Sequence, residues 1–147
     1  MVFRKKQVLL KKILIKPFIP LTSSTKKIVS RKIDLRNKIK DKISDLNKIR
    51  ERCDGKLLSV DVCFYLNNTT KEEGRSKKDL DNMMKIVCDV LAKQMVKNNT
   101  ETEKAGLGLV NDDSEIREIH CTKKFVDSPE KEGLEIEISR WKEKAKN

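Results

Sequence analysis

Apolar and polar side chains alternate most regularly over residues 58–66. A period of two places every second side chain on the same face of a strand, so this stretch predicts a strand with one buried face. Further strands are predicted at about residues 7–16, 115–126 and 133–140, where valine, leucine and isoleucine recur. The connection at 127–132, which contains a proline, is typical of a hairpin between the last two strands.

Apolar residues spaced by three, four and seven positions predict two main helices, at about residues 26–52 and 79–97. The predicted buried stripes are Ile28, Leu35, Ile39, Ile43, Leu46 and Ile49 in the first helix, and Leu80, Met83, Met84, Val87, Val90 and Leu91 in the second. The order βαβαββ predicts a single α/β (α+β) domain over residues 1–147, in which the helices pack on a mixed sheet. The polar residues 98–108 are expected to form a flexible insertion, and residues 141–147 a frayed tail.

The charge is distributed unevenly along the chain. The formal net charge is +11, and residues 1–52 carry a net +13 whereas residues 53–147 carry a net −2. A basic half indicates a polyanionic partner, with nucleic acid first and an anionic membrane surface second. The candidate phosphate contacts lie on the first helix and just before the second: Lys32, Arg36, Lys40, Lys48, Lys77 and Lys78.

The sequence argues against zinc binding and against secretion. The four cysteines form no C-x-x-C pair and His120 is the single histidine, whereas zinc sites use closely spaced ligands. No apolar run approaches the ~18 residues of a membrane span. The apolar stretch at 8–15 is not followed by a cleavage site. We therefore expect a cytoplasmic or nucleoid-associated protein with reduced thiols and no membrane partner.

Two acidic clusters are the candidate chemical centre. The first cluster begins the second helix with Asp79 and Asp81. Lys85 and Asp89 follow Asp81 at intervals of four, so these three share one helix face. The second cluster contains Asp112 and Asp113. Each cluster taken singly is explained by a helix N-cap, a solvated helix face or a turn. If the strand after Asp113 lies near the start of the second helix, the carboxylates converge, and oxygen ligands alone favour Mg²⁺ or Mn²⁺.

The residues KDLDNMMK at 78–85, then Asp89, then DDSEI at 112–116 resemble the signature of RusA-type Holliday junction resolvases. The resemblance implies that Asp79, Asp81 and Asp113 are metal-binding catalytic carboxylates and that Lys85 is the catalytic lysine. It gives Asp112 a lesser role beside the metal. It further implies a Mg²⁺-dependent or Mn²⁺-dependent homodimer that cleaves DNA four-way junctions in recombination and repair.

Two other functions remain open from the sequence. A non-catalytic, basic DNA-binding or architectural protein would use the basic half alone and would show no metal-triggered nicking. A metal-dependent nuclease acting on flaps, forks or RNA would share the acidic residues but not the junction substrate.

Overall fold

The computed structural model describes residues 6–67, 78–96, 101–111 and 113–143. Four strands form one mixed sheet in the order β1–β4–β2–β3, which confirms the predicted fold class. The strands are β1 (Val8–Ile15), β2 (Leu58–Asn67), β3 (Ile116–Val126) and β4 (Gly133–Arg140). β4 is antiparallel to β1 and β2, and β3 is parallel to β2.

The predicted hairpin between the last two strands is wrong, because β2 lies between β3 and β4. β2 buries every second side chain, Leu58 through Leu66, and its backbone pairs on both sides, with β4 and with β3. The connection after β3 therefore crosses the end of β2. It is held there by Glu132, whose carboxylate accepts a hydrogen bond from the Asn67 N–H (3.2 Å) and whose carbonyl accepts one from the Phe18 N–H (2.9 Å).

The described residues form three α-helices, α1 (Ile28–Asp41), α2 (Leu46–Cys53) and α3 (Leu80–Leu91). The single long helix predicted at 26–52 is thus divided in two. Asp45 explains the division, because its carboxylate caps α2 by accepting a hydrogen bond from the Lys48 N–H at 3.2 Å. The helix predicted at 79–97 ends at Leu91.

The helices cover one face of the sheet and form the core with it. Buried side chains from β1, β2, β4 and all three helices make one cluster, which contains Leu35, Ile39, Phe64, Met83 and Ile136. On the opposite face of β2, Asp61 is exposed. None of the helices in the described ranges is long and apolar enough to cross a membrane.

Residues 101–108, the described part of the expected flexible insertion, pack against the rest of the fold. Residues 102–104 form a turn of 3₁₀ helix, and Leu107 is 1% exposed in the core. Gly106 lies so close to α3 that an added Cβ would be 1.9 Å from the Ala92 carbonyl oxygen, so no other residue fits there. Residues 98–100 lie outside the described residues.

Trp141, the first residue of the expected frayed tail, is hydrogen-bonded to the rest of the fold. The Trp141 N–H donates a hydrogen bond to the Leu57 carbonyl at 2.8 Å, which fixes this residue beside the start of β2. Residues 144–147 lie outside the described residues.

Candidate functional site

Asp79 and Asp81 lie exposed at the start of α3. Asp79 is the N-cap residue, with an extended backbone, and its carbonyl accepts the Met83 N–H at 3.0 Å. Its side chain makes no capping hydrogen bond. Asp81 is in the first turn, where its carboxylate accepts the Asn82 N–H at 3.0 Å. The helix N-terminus stabilises both negative charges, and their exposure leaves oxygen atoms accessible to a cation.

Lys85 is also exposed and lies one turn after Asp81, at the rim of a cleft between α3 and β3. The cleft has a volume of about 480 Å³, and most of its lining is apolar. It is lined by Leu80, Asp81, Met84, Lys85, Cys88, Ile116, Ile119 and Cys121. Burial, together with the nearby charge of Asp81, raises the pKa of the Cys121 thiol. The charged side chains of Asp81 and Lys85 therefore lie at the edge of a cleft whose other lining side chains are mostly apolar.

The sequence did not single out β3 as part of this cleft. The available signal was the alternation of Ile119 and Cys121 with polar residues, which gives the edge strand an apolar side facing α3.

α3 runs antiparallel to β3, and this direction decides what the start of the helix can meet. The Lys123 ammonium, near the end of β3, donates a hydrogen bond to the Lys78 carbonyl at 3.1 Å. At the other end of α3, Ala92 forms a bridge with Val110, shortly before β3 begins. At 1.5 Å per residue, Asp81 and Ala92 are about 16 Å apart along the helix axis.

The backbone at position 113 therefore lies towards the end of α3, not beside its start. This is the reverse of the arrangement in which the strand after Asp113 begins near Asp79 and Asp81. Asp112 and the side chain of Asp113 lie outside the described residues. Among the residues whose side chains are described, no three histidine, cysteine or acidic side chains are placed to share a metal ion.

Asp89, the last acid of the predicted helix face, is paired with a residue of α1. The Lys32 ammonium lies 3.0 Å from the Asp89 carboxylate and 3.3 Å from the Met95 carbonyl oxygen, to both of which it donates. Lys32 is 9% exposed, so the expectation that it points outward to phosphates is wrong. The cause is tertiary, because α3 packs against that side of α1.

Arg36 also binds backbone carbonyl groups of this protein. Its guanidinium donates to the carbonyls of Glu103 (2.7 Å) and Ala105 (2.8 Å), and Arg50 donates to the Leu107 carbonyl at 2.8 Å. Two arginines from the basic half thus hold residues 103–107 against the helices. The sequence had assigned Arg36 to DNA.

The other predicted DNA contacts differ in their surroundings. Lys40 and Lys48 are exposed, as an outward-facing phosphate contact requires. The Lys78 ammonium donates to the Pro20 carbonyl at 2.8 Å and is half-buried. Lys77 lies outside the described residues.

No protein-family model, curated protein or solved structure matches this chain. The likeness to RusA-type resolvases rests on the motif residues.

Proposed function

We propose that this protein is a metal-dependent, structure-selective endodeoxyribonuclease that resolves DNA four-way junctions. The observation that carries the proposal is the exposed group Asp79, Asp81 and Lys85 at the start of α3, in the order and spacing of the RusA-type motif. The basic half of the chain supports a polyanionic substrate.

The donor atoms of this group fit Mg²⁺ or Mn²⁺. Magnesium is commonly held by one or two carboxylates together with phosphate oxygens of the substrate and water. Asp79 and Asp81 would supply the two carboxylates. When bound, the metal would polarise the phosphoryl oxygen and favour formation of hydroxide. Lys85, one turn further along α3, would place its positive charge against the charge that grows on the phosphate.

The resemblance also assigns Asp112 and Asp113 to the metal. Position 113 lies towards the other end of α3, where Ala92 is about 16 Å from Asp81 along the helix axis. We therefore take Asp79 and Asp81 as the principal ligands. Two copies of the chain in a homodimer would present two such groups to the opposed strands of a junction.

The test is cleavage of a synthetic four-way junction with and without Mg²⁺ or Mn²⁺. We expect Asp81→Asn and Lys85→Ala to bind the junction but to cleave it at least about 100-fold more slowly. Asp41→Asn, a neutralised exposed carboxylate at the end of α1, is the matched control and should cleave normally. Undiminished cleavage by the Asp81 variant would reject the proposal.

Asp113→Asn tests the remaining carboxylate. If it lowers cleavage as much as Asp81→Asn does, position 113 contributes to the reaction despite its place at the other end of α3. Flaps, replication forks and RNA in the same series separate a junction resolvase from a nuclease of other specificity.

A second candidate, a non-catalytic DNA-binding protein, is favoured by the separation of position 113 from the start of α3. Its binding would use exposed basic residues such as Lys40 and Lys48. It predicts affinity that falls steeply with salt, and no nicking of any DNA upon addition of metal.

A further inference from the structure

β3 is an edge strand with an unusual combination of length and exposed apolar surface. Among the described residues its one sheet neighbour is β2, and the pairing is regular from Glu118 to Val126. Ile119 is 46% exposed and Phe125 is 50% exposed. An edge strand of this kind presents a row of backbone donors and acceptors on which another strand can pair.

The opposite edge of the sheet, β1, is protected in ways that β3 is not. The register between β1 and β4 shifts twice, and Lys11 and Lys12 are both exposed. Irregular backbone and like charges both oppose pairing with a second chain. β3 instead carries an acidic residue, Glu118, and basic residues, including Lys124, along a regular strand.

We propose that a second copy of this chain pairs with β3 edge to edge, antiparallel, with Cys121 of the two copies opposite each other. Residues that are directly opposite in an antiparallel pair share a face of the sheet. In a pair related by a two-fold axis, opposite residues of the regular stretch must therefore both have even numbers or both have odd numbers. This condition leaves only a few registers.

Charge selects among these registers. Centring the pair on Cys121 places Glu118 of each copy opposite Lys124 of the other, which gives two ion pairs. Centring it on Lys123 or Lys124 places a lysine opposite itself, which is destabilising. Glu118 is already held on the face away from the helices, where it accepts a hydrogen bond from the Ser59 hydroxyl at 3.0 Å, and its side chain is still 46% exposed.

On the face towards the helices, the same register places Ile119 of each copy opposite Lys123 of the other. Ile119 of one copy lies diagonal to Phe125 of the other, within reach of an aromatic side chain. Both side chains would leave water, and the two four-stranded sheets would join into one eight-stranded sheet, which removes two free edges. The proposal assigns the interface of the homodimer that the proposed function includes, and its tests measure assembly without measuring nuclease activity.

Disulfide cross-linking tests the register. Directly opposite residues have Cβ atoms about 4.5–5.5 Å apart, so mild oxidation with copper–phenanthroline should link two Cys121 side chains. We expect a dimer band on a non-reducing gel that Cys121→Ser abolishes. Cys63→Ser, on the central strand and equally half-buried, is the matched control and should keep the band. A band that survives in Cys121→Ser, or no band in Cys63→Ser, would overturn the register.

Exchanging the charges at positions 118 and 124 tests the interface without oxidation of cysteine. Lys124→Glu and Glu118→Lys singly should raise the dimer dissociation constant about five- to thirty-fold, and the double variant should restore it. Analytical ultracentrifugation measures this directly, and circular dichroism verifies that each variant is folded. A wild-type protein that is monomeric at ~100 μM, or a dimer unaffected by either single change, would refute the proposal.

Discussion

The ammonium of Lys32 and the carboxylate of Asp89 form an ion pair at 3.0 Å between α1 and α3. The sequence predicted other roles for these residues: Lys32 as a phosphate contact, and Asp89 as part of the helix face that contains Asp81. The side chain of Lys32 is 11% exposed and that of Asp89 33%, so the pair is largely removed from solvent. Lys32 also donates to the Met95 carbonyl, which ties together α1, α3 and the segment that follows α3.

Removing this ammonium should therefore lower stability and leave DNA binding unchanged. We expect Lys32→Ala to reduce the free energy of unfolding by about 1–3 kcal/mol, because a partly buried carboxylate and a carbonyl lose their donor. Urea denaturation measures the change. Lys40→Ala, an exposed lysine on the same helix, should alter stability by no more than about 0.5 kcal/mol. Equal stability of the two variants would contradict the assigned role of Lys32.

Arg36 should stabilise residues 103–107 locally. Its two hydrogen bonds to the Glu103 and Ala105 carbonyls are lost in Arg36→Ala. Loss of a charged donor weakens a local structure by about 1–3 kcal/mol, so backbone amides of this segment should exchange about tenfold faster or more. Hydrogen exchange followed by mass spectrometry locates the effect. Lys38→Ala, an exposed neighbour, is the control. An unchanged exchange rate in Arg36→Ala would show that Arg36 does not stabilise residues 103–107.

The reactivity of Cys121 should report the charge at position 81. Burial and, second to it, the negative charge of Asp81 raise the pKa of this thiol. Asp81→Asn removes that charge and therefore lowers the pKa, so more thiolate is present at a given alkaline pH. We expect faster alkylation of Cys121 by iodoacetamide, with the rate–pH profile displaced to lower pH. Mass spectrometry of the peptide containing Cys121, in dilute protein, gives the rate.

Asp79→Asn provides the comparison for this measurement, because the charges that raise the pKa of Cys121 are those of Asp81 and Asp61. Its profile should match the wild type. If the Asp81→Asn profile also matches that of the wild type, Asp81 does not lie beside Cys121, and the described cleft between α3 and β3 is wrong.

Local pattern was enough to find the elements of this fold. The alternation at 58–66 and at 133–140 corresponds to β2 and β4, and the spacing at 79–97 identified all of α3 but extended past its end at Leu91. These patterns are set by which side chains turn inward, and they are visible within one element. The acidic residues at the start of α3 were likewise found from spacing alone, and the structure leaves both exposed.

What depends on contacts between distant residues was decided only in three dimensions. The insertion of β2 between β3 and β4 is a choice of backbone partners between distant segments, and a short connection at 127–132 does not reveal it. The pairing of Lys32 with Asp89 joins residues 57 positions apart, and charge in a sequence does not say which side chains meet. The direction of α3 relative to β3 separates position 113 from Asp81, because a helix returning antiparallel to its strands begins where the strands end.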